Sequence, residues 1–101
     1  MSKSAPHQID VLLVEDDERF AQRMVKNLEG EGFHVSWAPR GDEALERVKG
    51  CSFHLMIADI KMPGMNGLEL LETIKRKPGI DPELPVVMLT SIDAVEGAPL
   101  V

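Results

Sequence analysis

Three short apolar runs punctuate the chain: Val11-Leu12-Leu13-Val14, Leu55-Met56-Ile57-Ala58 and Val86-Val87-Met88-Leu89. Each is too short for a helix and is bounded by polar or turn residues, so each reads as a strand buried on both faces. A fourth segment alternates instead, with Phe33, Val35 and Trp37 set among His34, Ser36 and Ala38. That alternation predicts a strand with one face less well covered, at a sheet edge.

Between these runs the apolar period changes from two to nearly four. From Glu18 to about Glu29, Phe20, Met24 and Leu28 repeat at every fourth position with Ala21 and Val25 beside them, which predicts a helix with one stripe facing the core. Asp17 is placed to cap its start, and Gly30 and Gly32 to end it. A shorter helix is expected over Asp42 to Lys49, with Ala44, Leu45 and Val48 inward and Gly50 as its stop. A third starts at Asn66, where Asn66 and Glu69 have capping-box spacing, carries Leu68, Leu71 and Ile74, and ends before Pro78-Gly79.

Strands alternating with helices imply parallel pairing through right-handed crossovers, with helices on both faces of the sheet. The expected fold is a doubly wound α/β domain with strand order 2-1-3-4. A fifth strand would extend that sheet, and none is found in the sequence.

The length of 101 residues allows one domain with a single core, and 44% hydrophobic with 28% charged residues is the composition of an ordinary globular protein. Residues 1–8 are polar and contain Pro6, so a flexible tail is expected there, with the domain over 9–101. No run approaches the roughly 20 apolar residues of a membrane helix, and no signal-peptide pattern opens the chain. The net charge of -6 disfavours direct nucleic-acid binding. The lone Cys51 sits in an apolar neighbourhood, is read as a buried thiol, and suits a reducing cytoplasm.

Placement carries the chemistry. Glu15-Asp16-Asp17 follows the first strand, Asp59 the third and Thr90 the fourth, and in a parallel sheet those ends share one edge. Open α/β sheets bind ligands at the carboxyl ends of their strands, beside the point where strand order reverses. Carboxylates from two adjacent strands should converge there, where mutual repulsion favours a cation. Oxygen-only ligands suit Mg²⁺, which keeps several waters and accepts an incomplete protein shell. Asp59 is then placed as a nucleophile forming an acyl phosphate, with the Thr90 hydroxyl donating to a phosphoryl oxygen. Lys61, two residues on, offers its backbone carbonyl to the metal.

Other assignments weigh against some of these residues. Asp17 and Glu18 are well explained as helix N-terminal acids. His7, His34 and His54 show no metal-ligand spacing and no shared face, and Trp37 reads as edge-strand packing. A phosphatase with an aspartate nucleophile would place a second Asp two residues after the first, where Lys61 stands, and no Gly-rich phosphate loop follows the first strand.

The segments VLLVEDD (Val11 to Asp17), GDEAL (Gly41 to Leu45), IADIKMPGMNGLELL (Ile57 to Leu71) and PVVMLTS (Pro85 to Ser91) closely resemble the receiver domain of two-component response regulators, in order and spacing. The resemblance implies a flavodoxin-like receiver fold and phosphorelay signalling in the cytoplasm. It makes Asp59 the phosphoacceptor, Asp16 a direct Mg²⁺ ligand, Glu15 a ligand through water, Lys61 a carbonyl ligand and Thr90 the hydroxyl that follows the phosphoryl group. A sensor histidine kinase would be the phosphodonor. The module would promote its own phosphorylation without being a turnover enzyme.

That family continues beyond Thr90 with a fourth helix, a fifth strand ending in Lys-Pro and a fifth helix, whereas this sequence runs only to Val101. The expectation is therefore a C-terminally truncated receiver without the active-site lysine or the aromatic switch residue. An open sheet edge would favour a homodimer or domain swap. The alternative function is a non-phosphorylated interaction or dimerisation module on the same fold.

Overall fold

The computed structural model describes residues 8–89. In chain order these form β1 (Asp10–Val14), α1 (Glu18–Gly30), β2 (His34–Ala38), α2 (Gly41–Gly50), β3 (Leu55–Asp59), α3 (Gly67–Arg76) and β4 (Val86–Leu89). The strands pair in parallel in the order β2-β1-β3-β4, as the alternation of patterns predicts.

The two-residue period of the strands sorts their side chains into two cores. On one face Leu12, Val14, Met56 and Ala58 pack with Ala44, Leu45 and Val48 of α2 and with Leu70 and Ile74 of α3. On the other, Val11, Leu13 and Ile57 meet Ala21 of α1, with Met24, Val25 and Leu28 packed alongside. Val11 to Val14 are fully buried, which is why β1 carries no polar residue between Asp10 at its start and Glu15 just past its end. Each such Val or Leu contributes roughly 1.5–3 kcal/mol of burial.

The helix ends follow their sequence signals. The Asp17 side chain accepts from the Phe20 N–H at 3.1 Å and caps α1. At the other end Gly32 has φ +100, its N–H donates to Glu29 O, and the Phe33 N–H reaches back to Leu28 O. This is a Schellman ending, in which Phe33 and Leu28 join the same apolar cluster. Gly30, expected as a stop, is the last helical residue instead. The capping box at α3 is complete: Asn66 accepts from the Glu69 N–H and Glu69 from the Asn66 N–H.

Four expectations are corrected. Leu68 is 52% exposed, and Leu70 faces the core in its place. The phase is fixed by Gly67, which lies on the backbone of β3, so positions 67, 70 and 74 form the inner stripe. Phe20 lies at the margin of the α1 stripe, 36% exposed, while Ala21 takes the central position. Cys51 is exposed, because it is the extended residue that leads the chain out of α2 into solvent. His34 and His54, expected to have nothing in common, both approach Asp10, His34 from β2 and His54 from the residue before β3. The His34 Nδ1 lies 3.0 Å from Asp10 Oδ1, and the Asp10 N–H donates to His54 Nδ1 at 2.9 Å.

Gln8, expected within the flexible tail, donates from Nε2 to Gly32 O at 3.3 Å. Thr90 and the residues after it lie outside the described residues, as do residues 1–7.

A methyl group on Gly67 would sit 2.5 Å from Asp59 O and 3.0 Å from Asp59 C. Backbone cannot yield as a side chain does, so Gly67→Ala is expected to destabilise the fold by about 2–3 kcal/mol in denaturant titration. Asn66→Ala, which removes only the cap, should lose about 1 kcal/mol in the same measurement.

Candidate functional site

The site is built where β1 and β3 stop. Val14 pairs with Ala58 in register, so the next residue of each strand, Glu15 and Asp59, emerge side by side at the carboxyl edge. Glu15 remains tied to the sheet because its N–H donates to Ala38 O at 3.1 Å. Its side chain turns inward and is 3% exposed, the one buried acid among the described residues. The Asp17 N–H donates to Glu15 Oε2 at 3.0 Å, and the Trp37 indole N–H donates to the Glu15 carbonyl at 2.7 Å.

Asp59 is half-buried and held from both sides. The Ile60 N–H bonds to Leu89 O at 3.0 Å, continuing the β3 to β4 ladder, and the Lys61 N–H donates to Asp59 Oδ1 at 3.2 Å. Gly67, with its N–H on Ile60 O, closes the turn beneath it. The turn between them runs through Gly64, whose φ of +73 suits a residue without a Cβ. Asp16 completes the group as its exposed member.

Carboxylate oxygens of Glu15, Asp16 and Asp59 all lie within 4.8 Å of one another. Among the described residues no Lys or Arg side chain forms an ion pair with any of the three. Burial, followed by the charges of Asp59 and Asp16 and a shared hydrogen bond with Asp59, pushes the Glu15 carboxyl up to about 7, against the opposing effect of the Asp17 N–H. Near neutral pH the cluster therefore holds a partly retained proton where a cation would be the stronger stabiliser. An all-oxygen donor set without His or Cys fits a hard divalent ion such as Mg²⁺ and does not fit Zn²⁺.

Of the sequence-predicted residues, the fold brings together Glu15, Asp16 and Asp59. Lys61 is adjacent, its backbone N–H on Asp59 and its side chain exposed. Asp17 is occupied in capping, in agreement with its reading as a helix acid. Thr90 lies outside the described residues. The residue that sequence reasoning missed is Trp37, whose apolar alternation gave no sign that its N–H would reach the acidic loop.

Residues 11–98 match the family described as the response regulator receiver domain. The response regulator receiver protein CpdR of Brucella abortus is 40% identical over 85 residues, covering 84% of this chain and 68% of that protein. The transcriptional regulatory protein ZraR of Klebsiella oxytoca is 36% identical over 91 residues, 90% of this chain but only 20% of that much longer protein. Among solved structures, the N-terminal domain of a response regulator receiver protein from Methanoculleus marisnigri matches with TM-score 0.78 and 33% identity, over 92% of this chain and 70% of that one. TrrA of Thermotoga maritima, solved in complex with Mg(2+)-BeF, matches with TM-score 0.75 and 30% identity, over 82% of this chain and 70% of that one. With the strand order and the acidic edge already in place, these likenesses have one meaning: the chain belongs to the response regulator receiver domain family of two-component systems.

Proposed function

We propose that this chain takes a phosphoryl group onto Asp59 from a phosphohistidine of a sensor histidine kinase. The observation that carries the reading is the convergence of Asp59 with Glu15 and Asp16 at the edge where β1 and β3 end. A carboxylate oxygen of Asp59 attacks phosphorus, the P–N bond of the donor breaks, and its electron pair leaves with the imidazole, which takes up a proton. The product is an acyl phosphate on Asp59. The chain acts as a signalling module and does not turn over substrate as an enzyme.

Glu15, Asp16, Asp59 and the Lys61 carbonyl are the groups we assign to hold Mg²⁺. The ion would supply positive charge against both the carboxylates and the phosphoryl oxygens. The protein's own part is positional. The Lys61 N–H orients the Asp59 carboxylate, and the buried Glu15 is fixed by the Asp17 N–H. Thr90, next in sequence after β4, is the hydroxyl assigned to a phosphoryl oxygen.

Among the described residues no helix is long and apolar enough to cross a membrane. A cytoplasmic kinase as donor would place the chain in the cytoplasm. Of the described strands β4 lies at a sheet edge with Val87 46% exposed, and pairing of a second copy there belongs to the same proposal, to be read by sedimentation at rising concentration.

With a small phosphodonor and Mg²⁺, intact mass should rise by one phosphoryl group in the parent and not in Asp59→Asn. The adduct should be lost in alkali, and an adduct retained by Asp59→Asn would move the acceptor elsewhere.

The raised Glu15 carboxyl has a definite sign in stability. Between the ordinary glutamate value of 4.5 and about 7 the folded chain holds more of this proton than the unfolded chain does. Metal-free stability should therefore fall as pH rises through that interval and level off above it, by about 3 kcal/mol. Glu15→Gln should flatten the slope, and Mg²⁺ at pH 8 should restore much of the loss in the parent, both read by thermal melts in chelator and in Mg²⁺.

A further inference from the structure

Trp37 sits on the edge strand β2 opposite Leu13, two residues short of the acidic loop. A strand advances roughly 3.3 Å per residue, so an indole leaning along the strand spans about the two residues that separate Leu13 from Glu15. It does so here: the residue packs against the buried cluster of Val11, Leu13, Ala21 and Ile57, while its N–H reaches the carbonyl of Glu15 at 2.7 Å. That bond is short for an N–H to oxygen contact.

The bond has geometric leverage. The peptide unit is planar, so fixing the Glu15 carbonyl also fixes the N–H and Cα of Asp16. The Glu15 N–H is already committed to Ala38 O, and the Asp17 N–H to Glu15 Oε2. Between these two ties, the plane joining Glu15 to Asp16 is held by the indole. Asp16 is exposed, with no packed wall to direct it, so its side chain leaves the backbone along a line set by that plane.

We propose that Trp37 is a positioning residue for the acidic site: its indole N–H aims Asp16 toward Glu15 and Asp59. The inference rests on the reading that these three carboxylates hold Mg²⁺. It adds that the arrangement depends on a hydrogen bond from the edge strand as well as on the strand ends themselves. Trp37 touches no reacting atom in this scheme and acts only through the 15–16 peptide.

Trp37→Phe keeps an aromatic ring in the core and removes the donor, while Val35→Ala removes packing from the same strand and leaves the donor in place. Mg²⁺ affinity is read by calorimetry and by amide resonances of Glu15, Asp16 and Asp59. Trp37→Phe should weaken it about fivefold, the effect of one neutral hydrogen bond. Val35→Ala should lower the melting temperature yet leave the affinity within twofold of the parent. Equal affinity in Trp37→Phe and the parent, or an equal loss in Val35→Ala, overturns the proposal. A metal-free arm separates this inference from the one beneath it. In chelator, hydrogen exchange of the Asp17 N–H should quicken in Trp37→Phe and not in Val35→Ala, and unchanged exchange overturns the positioning role. Should the parent bind no Mg²⁺, the metal reading fails while the exchange result still decides the role of Trp37. If Trp37→Phe does not fold, the parent alone decides: its indole N–H resonance should titrate with Mg²⁺ in step with the Asp16 amide, and an unmoved indole resonance overturns the proposal.

Discussion

The register of β1 against β3 is the constraint on which the rest depends. Val14 beside Ala58 places Glu15 beside Asp59, and neither acid would choose the other as a neighbour. Their repulsion is borne by the strands behind them, where Val11 to Val14, Met56 and Ala58 are fully buried and cannot slide without turning every side chain to the wrong face. The sheet thus spends part of its apolar stability on holding a charge cluster that disfavours folding by itself. The elevated Glu15 carboxyl is the local sign of that conflict.

The remaining elements refine this pairing more than they create it. α3 starts on the backbone of Asp59 itself, through Gly67, so the helix and the acid share one fixed point. α1 starts at Asp17, whose N–H holds the Glu15 carboxylate and whose own carboxylate holds the helix. Cap, strand end and acidic cluster are one continuous set of hydrogen bonds. This explains why Asp17 is absent from the carboxylate group although it directly follows Asp16.

Much of this was legible in the sequence because the signals were local. Unbroken apolar runs, capping spacings and acids after strands gave the strand order, the three helices and the meeting of Glu15, Asp16 and Asp59. What escaped was phase and reach. Leu68 looked equivalent to Leu71 and Ile74, but the phase of α3 is set by a long-range contact of Gly67 that no periodicity reports. Cys51 looked buried from its apolar neighbours, yet a residue leaving a helix in extended conformation can face solvent beside a buried Val48. His34 and His54, twenty positions apart, converge on Asp10 only because β1 lies between β2 and β3. Trp37 showed its ring to the pattern and hid its N–H. Thr90 belongs to neither class, since it lies outside the described residues.

The contact between α2 and the turn after β3 also gives the site a mechanical direction. Gly41 opens α2 directly against Met65, so closely that a Cβ there would stand 3.0 Å from the Met65 carbonyl and 3.1 Å from its side chain. A close-packed wall of this kind resists compression. Any swelling of the loop around Asp59, as from a bulky group on its carboxylate, finds a rigid abutment on the α2 flank and a floor of backbone at Gly67. Displacement begun at Asp59 is therefore turned away from α2 and from the start of α3.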